Sequence, residues 1–192
     1  MAASLVGRLV VAAPVMQDPN FDHTVVLVLE HGGEGALGIV LNRPTEADIF
    51  EALPRWESLA AEPTVIFEGG PVAPTAAICL ARAGVPGYLE GPDPGADVGW
   101  KPLFGGLGTV DLERDPVDVG APVEKVRVFA GYAGWGPGQL DAEIDEGAWF
   151  VLDALPGDAL SSDPATLWEA VLRRHGGKFA LLANFPSVPS LN

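Results

Sequence analysis

The chain has 192 residues, 48% hydrophobic and 19% charged, and its 26 Asp and Glu against 11 Lys and Arg leave a formal net charge of −15. That composition describes one acidic globular domain over residues 1–192, large enough to bury roughly 70% of its unfolded surface without disulfides. It argues against direct nucleic-acid binding and against an anionic membrane, because counterion release needs Lys and Arg set against phosphates.

The 24 Gly and 18 Pro, about twice the usual share of roughly 12%, also argue against a helical bundle. In chain order, residues 9–13 form a short β-type run ended by Pro14, and Met16 to Asn20 is turn chemistry. Thr24 to Leu29 is β-branched and almost continuously apolar, the pattern of a strand buried on both faces. After Gly32-Gly33-Glu34-Gly35 a second strand, Gly38 to Asn42, completes a hairpin or a close strand pair. From Thr45, read as an N-cap, a helix runs with Ile49, Phe50 and Leu53 on its apolar face to Pro54, with a further turn through Trp56 and Leu59.

Strands follow at Thr64 to Phe67 and Ala76 to Leu80, separated by the Gly69-Gly70-Pro71 turn. Residues 84–99 are rich in Gly and Pro and read as a mobile surface loop. Val126 to Tyr132 alternates as a central strand. A short helix over 137–146 has Pro137 at its first position, Leu140 and Ile144 stacked four apart, and Gly147 after its end. Ala148 to Leu152 is a strand. Asp163 then caps a helix with Pro164 at its first position, Leu167, Trp168, Val171 and Leu172 inward and Gly176 at its end. Arg173, Arg174 and His175 fall in its last turn, where cations complement the helix dipole. Phe179 to Phe185 adds a strand before a Pro-rich tail.

Most motif chemistry fails its own context. Gly33 to Gly38 matches G-x-G-x-x-G, but a strand follows it where a dinucleotide site needs a helix, so it reads as a glycine turn. Asp141, Glu143, Asp145 and Glu146 miss the calcium-loop positions and read as a solvated acidic face. His23 and His31, in extended chain, stand ~25 Å apart at ~3.3 Å per residue, too far to share a metal. No metal, cofactor or catalytic residue is assigned. The single Cys79 lies in an apolar run and reads as a buried thiol, which with the absence of a leader or of an apolar run near ~20 residues fits the cytoplasm.

What remains is a set of polar and glycine positions at strand ends: Asp18, Glu30, His31, Asn42 and Arg43, with Gly69 and Gly70, and Trp135 in a glycine-rich loop. A tight hairpin is expected to set residues 31 and 42 away from its turn, near each other's flanks. Arg43 beside exposed backbone N–H groups suits a carboxylate or phosphate. The competing and weightier reading has Asp18, Asn42 and Arg43 tying turns together, and Trp135 plugging the core.

Gly7 to Phe21, Thr24 to Leu27, Glu30-His31 and Gly35 to Pro44 together resemble the N-terminal signature of the bacterial YqgE/AlgH family. Gly69-Gly70-Pro71-Val72 and Gly131 to Leu140, with Trp149 following, resemble its other two blocks. The resemblance implies an α+β fold, a bent, partly barrel-like and mostly antiparallel sheet flanked by short helices. It also carries a transcriptional-regulator label, without catalytic residues or cofactor. One departure is that Ala77 to Ala81 replaces an aromatic-Val-Leu-His run frequent in the family. The expected function is a non-enzymatic binding or regulatory module with an unknown protein or a small anionic ligand as partner, acting on transcription indirectly. The alternative is a hydrolase or phosphoryl-handling enzyme using Asp18, His31 and Arg43. Oligomeric state is not legible.

Overall fold

The computed structural model describes residues 4–85 and 98–184. Ten strands dominate: β1 (Arg8–Ala12), β2 (Val25–Gly32), β3 (Gly35–Val40), β4 (Pro44–Asp48), β5 (Val65–Glu68), β6 (Val72–Ala83), β7 (Trp100–Phe104), β8 (Leu107–Val110), β9 (Val123–Trp135) and β10 (Trp149–Asp153). Four short helices accompany them: α1 (Ile49–Ala52), α2 (Gln139–Asp145), α3 (Leu167–His175) and α4 (Gly177–Leu182). The strand order is β10-β1-β2-β3-β9-β6-β8-β7, with β5 pairing β9 and β4 pairing β5. Among the described strands only β5 runs parallel to its neighbour β9.

The curl of this half-barrel comes from β9, which serves two sheets. Its first part pairs β6, as at Ile78↔Phe129 and Arg82↔Lys125, and its last part pairs β3 at Gly38↔Ala133 and Ala36↔Trp135. The bend falls at Gly131, whose φ of +74° favours glycine. Gly69 and Gly70 cross β9 at that bend. A Cβ on Gly69 would lie 2.3 Å from Gly131 O, and one on Gly70 2.2 Å from the Tyr132 carbonyl carbon. The glycine blocks that carry the family resemblance are therefore where two backbones touch.

β1 and the first half of β2, Val25 to Val28, are buried on both faces, which is why they read as continuous apolar runs. Leu9, Val11, Val25 and Leu27 face a core completed by Phe67, Phe129 and the α3 residues Trp168, Val171 and Leu172. Val10, Val26 and Val28 face the other way, onto Trp135, Trp149 and Leu140. A third cluster lies outside β6 and β9, where Cys79, Ala81, Val126 and Val128 meet Ile49, Trp56 and Trp100. The glycine turn at 32–35 closes the β2–β3 hairpin, as its context implied.

Several elements differ from the sequence reading. No helix starts at Thr45. That segment is the edge strand β4, where the Thr45 hydroxyl donates to Ile66 O at 2.6 Å, and helix begins only at Ile49, with Asp48 accepting from Phe50 N. Pairing with β5 outweighs the local cap signal, and Phe50 is left exposed. The turn through Leu59 is a 3-10 turn, Glu57–Leu59. α2 starts at Gln139 rather than Pro137, after Gly138 at φ +69°. Asp163 does not cap a backbone N–H; it accepts from the Thr166 hydroxyl, and Pro164 opens a 3-10 turn ahead of α3. Phe179 to Leu182 is helical instead of extended, since its Ala and Leu are good helix formers and the run is too short to show a period. Most of the loop read at 84–99, and the tail from Phe185, lie outside the described residues.

Candidate functional site

The polar residues singled out at strand ends divide between opposite ends of the sheet. At one end the loop before β2 turns on Asp18, whose carboxylate accepts from Asn20 N at 2.9 Å and whose carbonyl accepts from Phe21 N and Asp22 N. Asn42 then acts as an extra strand partner. Its amide donates to His23 O at 2.9 Å and its Oδ1 accepts from Val25 N at 3.0 Å, fixing the entry to β2. Arg43 pins the same loop, Nη2 donating to Asp22 O at 2.8 Å and Pro19 O at 3.4 Å. Its Nε and Nη1 have no partner among the described residues.

Gly69 and Gly70 approach from β5. Gly69 O accepts from Val40 N, and Glu68 N donates to Arg43 O, both at 2.8 Å. Between these segments lies a cleft of about 220 Å³ lined by Pro19, Asn20, Val40, Arg43, Glu68 and Gly70. It holds one guanidinium and, exposed on its wall, one carboxylate. Asp18, Asn42, Arg43, Gly69 and Gly70 are thus brought to one end, largely through the turn-tying bonds that the local reading anticipated.

His31 is at the other end, which corrects the expected hairpin geometry. His31 pairs with Ala36 beside the hairpin turn. Asn42 lies six positions after Ala36, about 20 Å of extended chain. The Asp18, His31 and Arg43 set therefore does not converge on one substrate. His31 Nδ1 accepts from Leu5 N at 3.2 Å, so the proton is on Nε2, which faces Asp141 Oδ2 at 3.3 Å. The imidazole staples the N-terminal segment to α2. Trp135 plugs the core: its indole donates to Glu143 Oε2 at 3.0 Å, as the Trp149 indole does at 2.8 Å, and Phe21 packs on both rings. Glu143 accordingly does not belong to a solvated acidic face, whereas Asp141 keeps an exposed carboxylate there.

Other charged groups escaped the sequence reading. Arg127 is 2% exposed in β9 and has no carboxylate on it among the described residues. Its Nη1 donates to Ala159 O and Ser161 O, its Nη2 to Ala61 O and Glu62 O, and its guanidinium lies 4.3 Å above the Phe67 ring. Burial pulls its pKa down to about 10. The only signal was a cation inside an otherwise apolar strand. In α3, Arg174 makes a bidentate pair with the buried Asp158, at 2.7 and 3.0 Å. His175 is not a cation on the helix dipole: its Nδ1–H donates to Val171 O and its Nε2 accepts from Asp153 N, the neutral tautomer. The Cys79 thiol is 1% exposed, and burial pushes its pKa up. Among the described residues no group of three or more His, Cys, Asp and Glu is placed to hold a metal, and no helix is long and apolar enough to cross a membrane.

The protein is a single α+β domain built on a curled, mostly antiparallel half-barrel. Residues 9–180 match the AlgH-like family, and the chain belongs to it. It is 50% identical over 190 residues to the UPF0301 protein SCO2948 of Streptomyces coelicolor, covering 99% of this chain and 96% of that one. It is 44% identical over 180 residues to a UPF0301 protein of Mycobacterium tuberculosis, covering 94% and 87%. Among solved structures, protein DIP2367 from Corynebacterium diphtheriae superposes with a TM-score of 0.86 at 29% identity, covering 96% of this chain and 94% of that one. The solution structure of the AlgH protein from Pseudomonas aeruginosa superposes at 0.66, also at 29% identity, covering 97% and 96%.

Proposed function

We propose that the protein is a non-catalytic binding module whose ligand site is the Arg43 cleft, and that the ligand is a small molecule presenting one carboxylate or singly charged phosphate group. The observation that carries this is the state of Arg43. Nη2 is held by two loop carbonyls, so the guanidinium is already oriented, while Nε and Nη1 remain unpartnered beside the cleft. A preorganised guanidinium suits a planar carboxylate. Glu68 on the same wall repels a second negative charge, which favours a monoanion over a polyphosphate. No histidine or cysteine lines this cleft among the described residues, so no nucleophile and base are paired there. Any effect on transcription then runs through the ligand or a protein partner, since a net charge of −15 opposes direct contact with DNA.

A thermal-shift screen of wild type and Arg43→Ala against monocarboxylates, sugar phosphates and nucleotides tests this. A ligand at ~100 times its Kd adds ~2.7 kcal/mol, which for a chain of this size is a rise of about 5–10 °C. Stabilisation that persists in Arg43→Ala would contradict the assignment.

A further inference from the structure

A second concavity, of about 250 Å³, opens at the mouth of the half-barrel, where the β2–β3 hairpin faces β6, β7 and β8. Its walls are apolar: Leu29 and Leu37 on one side, Ile78 and Leu103 on the other. Two β-bulges shape it. In β2, Val28 pairs Gly38 and Glu30 pairs Leu37, so Leu29 is the extra residue; both Leu29 and Glu30 line the cavity, whereas regular alternation would turn them to opposite faces. In β7, Pro102 pairs Gly108 and Phe104 pairs Leu107, so Leu103 is extra there. Bulges that re-aim side chains are typical of barrel rims and binding sites.

The same cavity carries polar groups with nothing to bind. Glu30 and Lys101 make no ion pair or hydrogen bond with any side chain among the described residues, and the half-buried Thr109 hydroxyl has no partner there either. Lys101 and Thr109 are direct cross-strand partners, and together they present a cation and a hydroxyl. Glu30 presents the opposite charge from the hairpin.

We propose that this mouth binds a free α-amino acid with an apolar side chain. The carboxylate pairs with Lys101 and Thr109, the ammonium with Glu30, and the side chain packs on the four apolar walls. Such a zwitterion matches both charges at once. A fatty acid would leave Glu30 facing apolar or negative groups, and an amine would leave Lys101 unpaired. The volume is that of a single amino acid, below the usual range of roughly 300–1,000 Å³ for larger ligands. The site is separate from the Arg43 cleft and does not depend on it.

Titration calorimetry of the full chain with L-leucine and L-phenylalanine, and with N-acetyl-L-leucine, L-leucinamide and hexanoate as controls, tests the proposal. Saturable binding of the free amino acids is expected, with each blocked derivative weaker by about tenfold, the loss of one charge-assisted hydrogen bond. Glu30→Gln should erase the discrimination against the N-acetyl compound, and Lys101→Met that against the amide. Both side chains are exposed, so circular dichroism is expected to show an unchanged fold. Arg43→Ala should bind as wild type does. Absence of saturable heat at millimolar ligand, hexanoate binding as tightly as leucine, or binding indifferent to both rim variants would each overturn it.

Discussion

Replacing Arg127 with methionine tests how a buried cation without a counter-ion is held in β9. Methionine keeps an unbranched stem against Phe67 but removes the charge and every donor. Two of the bonds lost are strong, to Ser161 O at 2.8 Å and to Glu62 O; the two others, to Ala159 O at 3.3 Å and Ala61 O at 3.5 Å, are long. At about 1.5–3 kcal/mol for a hydrogen bond to a charged group, the two strong ones contribute about 3–6 kcal/mol, and the buried Ala61 and Ala159 carbonyls left bare cost at least about 2 kcal/mol more. Against this stands the cost of burying the charge. A pKa lowered from 12.5 to about 10 corresponds to about 3 kcal/mol. The balance is a loss of about 3 kcal/mol, or a Tm lower by about 6–12 °C in a chain of this size. Urea unfolding followed by tryptophan fluorescence measures it. A loss below about 1 kcal/mol, or a gain, would refute the reasoning and show that desolvation cancels the carbonyl bonds, as it does in some buried ion pairs.

Gly70→Ala should lower stability by more than about 3 kcal/mol or prevent folding, because φ is +148° and the new Cβ would strike Tyr132 backbone; Gly33→Ala, with nothing within 4 Å, should change urea stability by less than about 0.5 kcal/mol. Glu143→Ala removes the shared acceptor of the Trp135 and Trp149 indoles and should cost about 2–3 kcal/mol, with a shifted tryptophan emission in the folded state. The Cys79 thiol, buried and with its pKa raised, should resist a disulfide reagent in the native protein and react at the rate of global unfolding; fast labelling of the folded chain would contradict its placement.

The sequence was most informative where one physical cause dominates. Thr24 to Leu29 announces a doubly buried strand because side chains of both parities meet a core, and Leu167, Trp168, Val171 and Leu172 announce an inward helix face. Local signals misled where tertiary pairing overrode them: Thr45 looks like a cap until β5 pairs beside it, and Phe179 to Leu182 is too short to declare a period. The candidate site was half legible. Asp18, Asn42 and Arg43 are turn residues near their glycines, and hydrogen bonds gather them at one end. His31 could not be placed without the hairpin register, since two residues on a strand pair are neighbours or ~20 Å apart depending on where the turn falls. Glu143 and Arg127 were invisible for a related reason: the indoles and carbonyls that bind them come from other segments of the chain.

The cleft itself is tested most directly by nuclear magnetic resonance, titrating a small monocarboxylate into isotopically labelled wild type and Arg43→Ala. Binding at the cleft should give saturable shifts of the Arg43 Nε–H and of the backbone amides of Asn20, Glu68 and Gly70, absent in Arg43→Ala while the rest of the spectrum is retained. Shifts centred elsewhere, or unchanged by loss of Arg43, would contradict it.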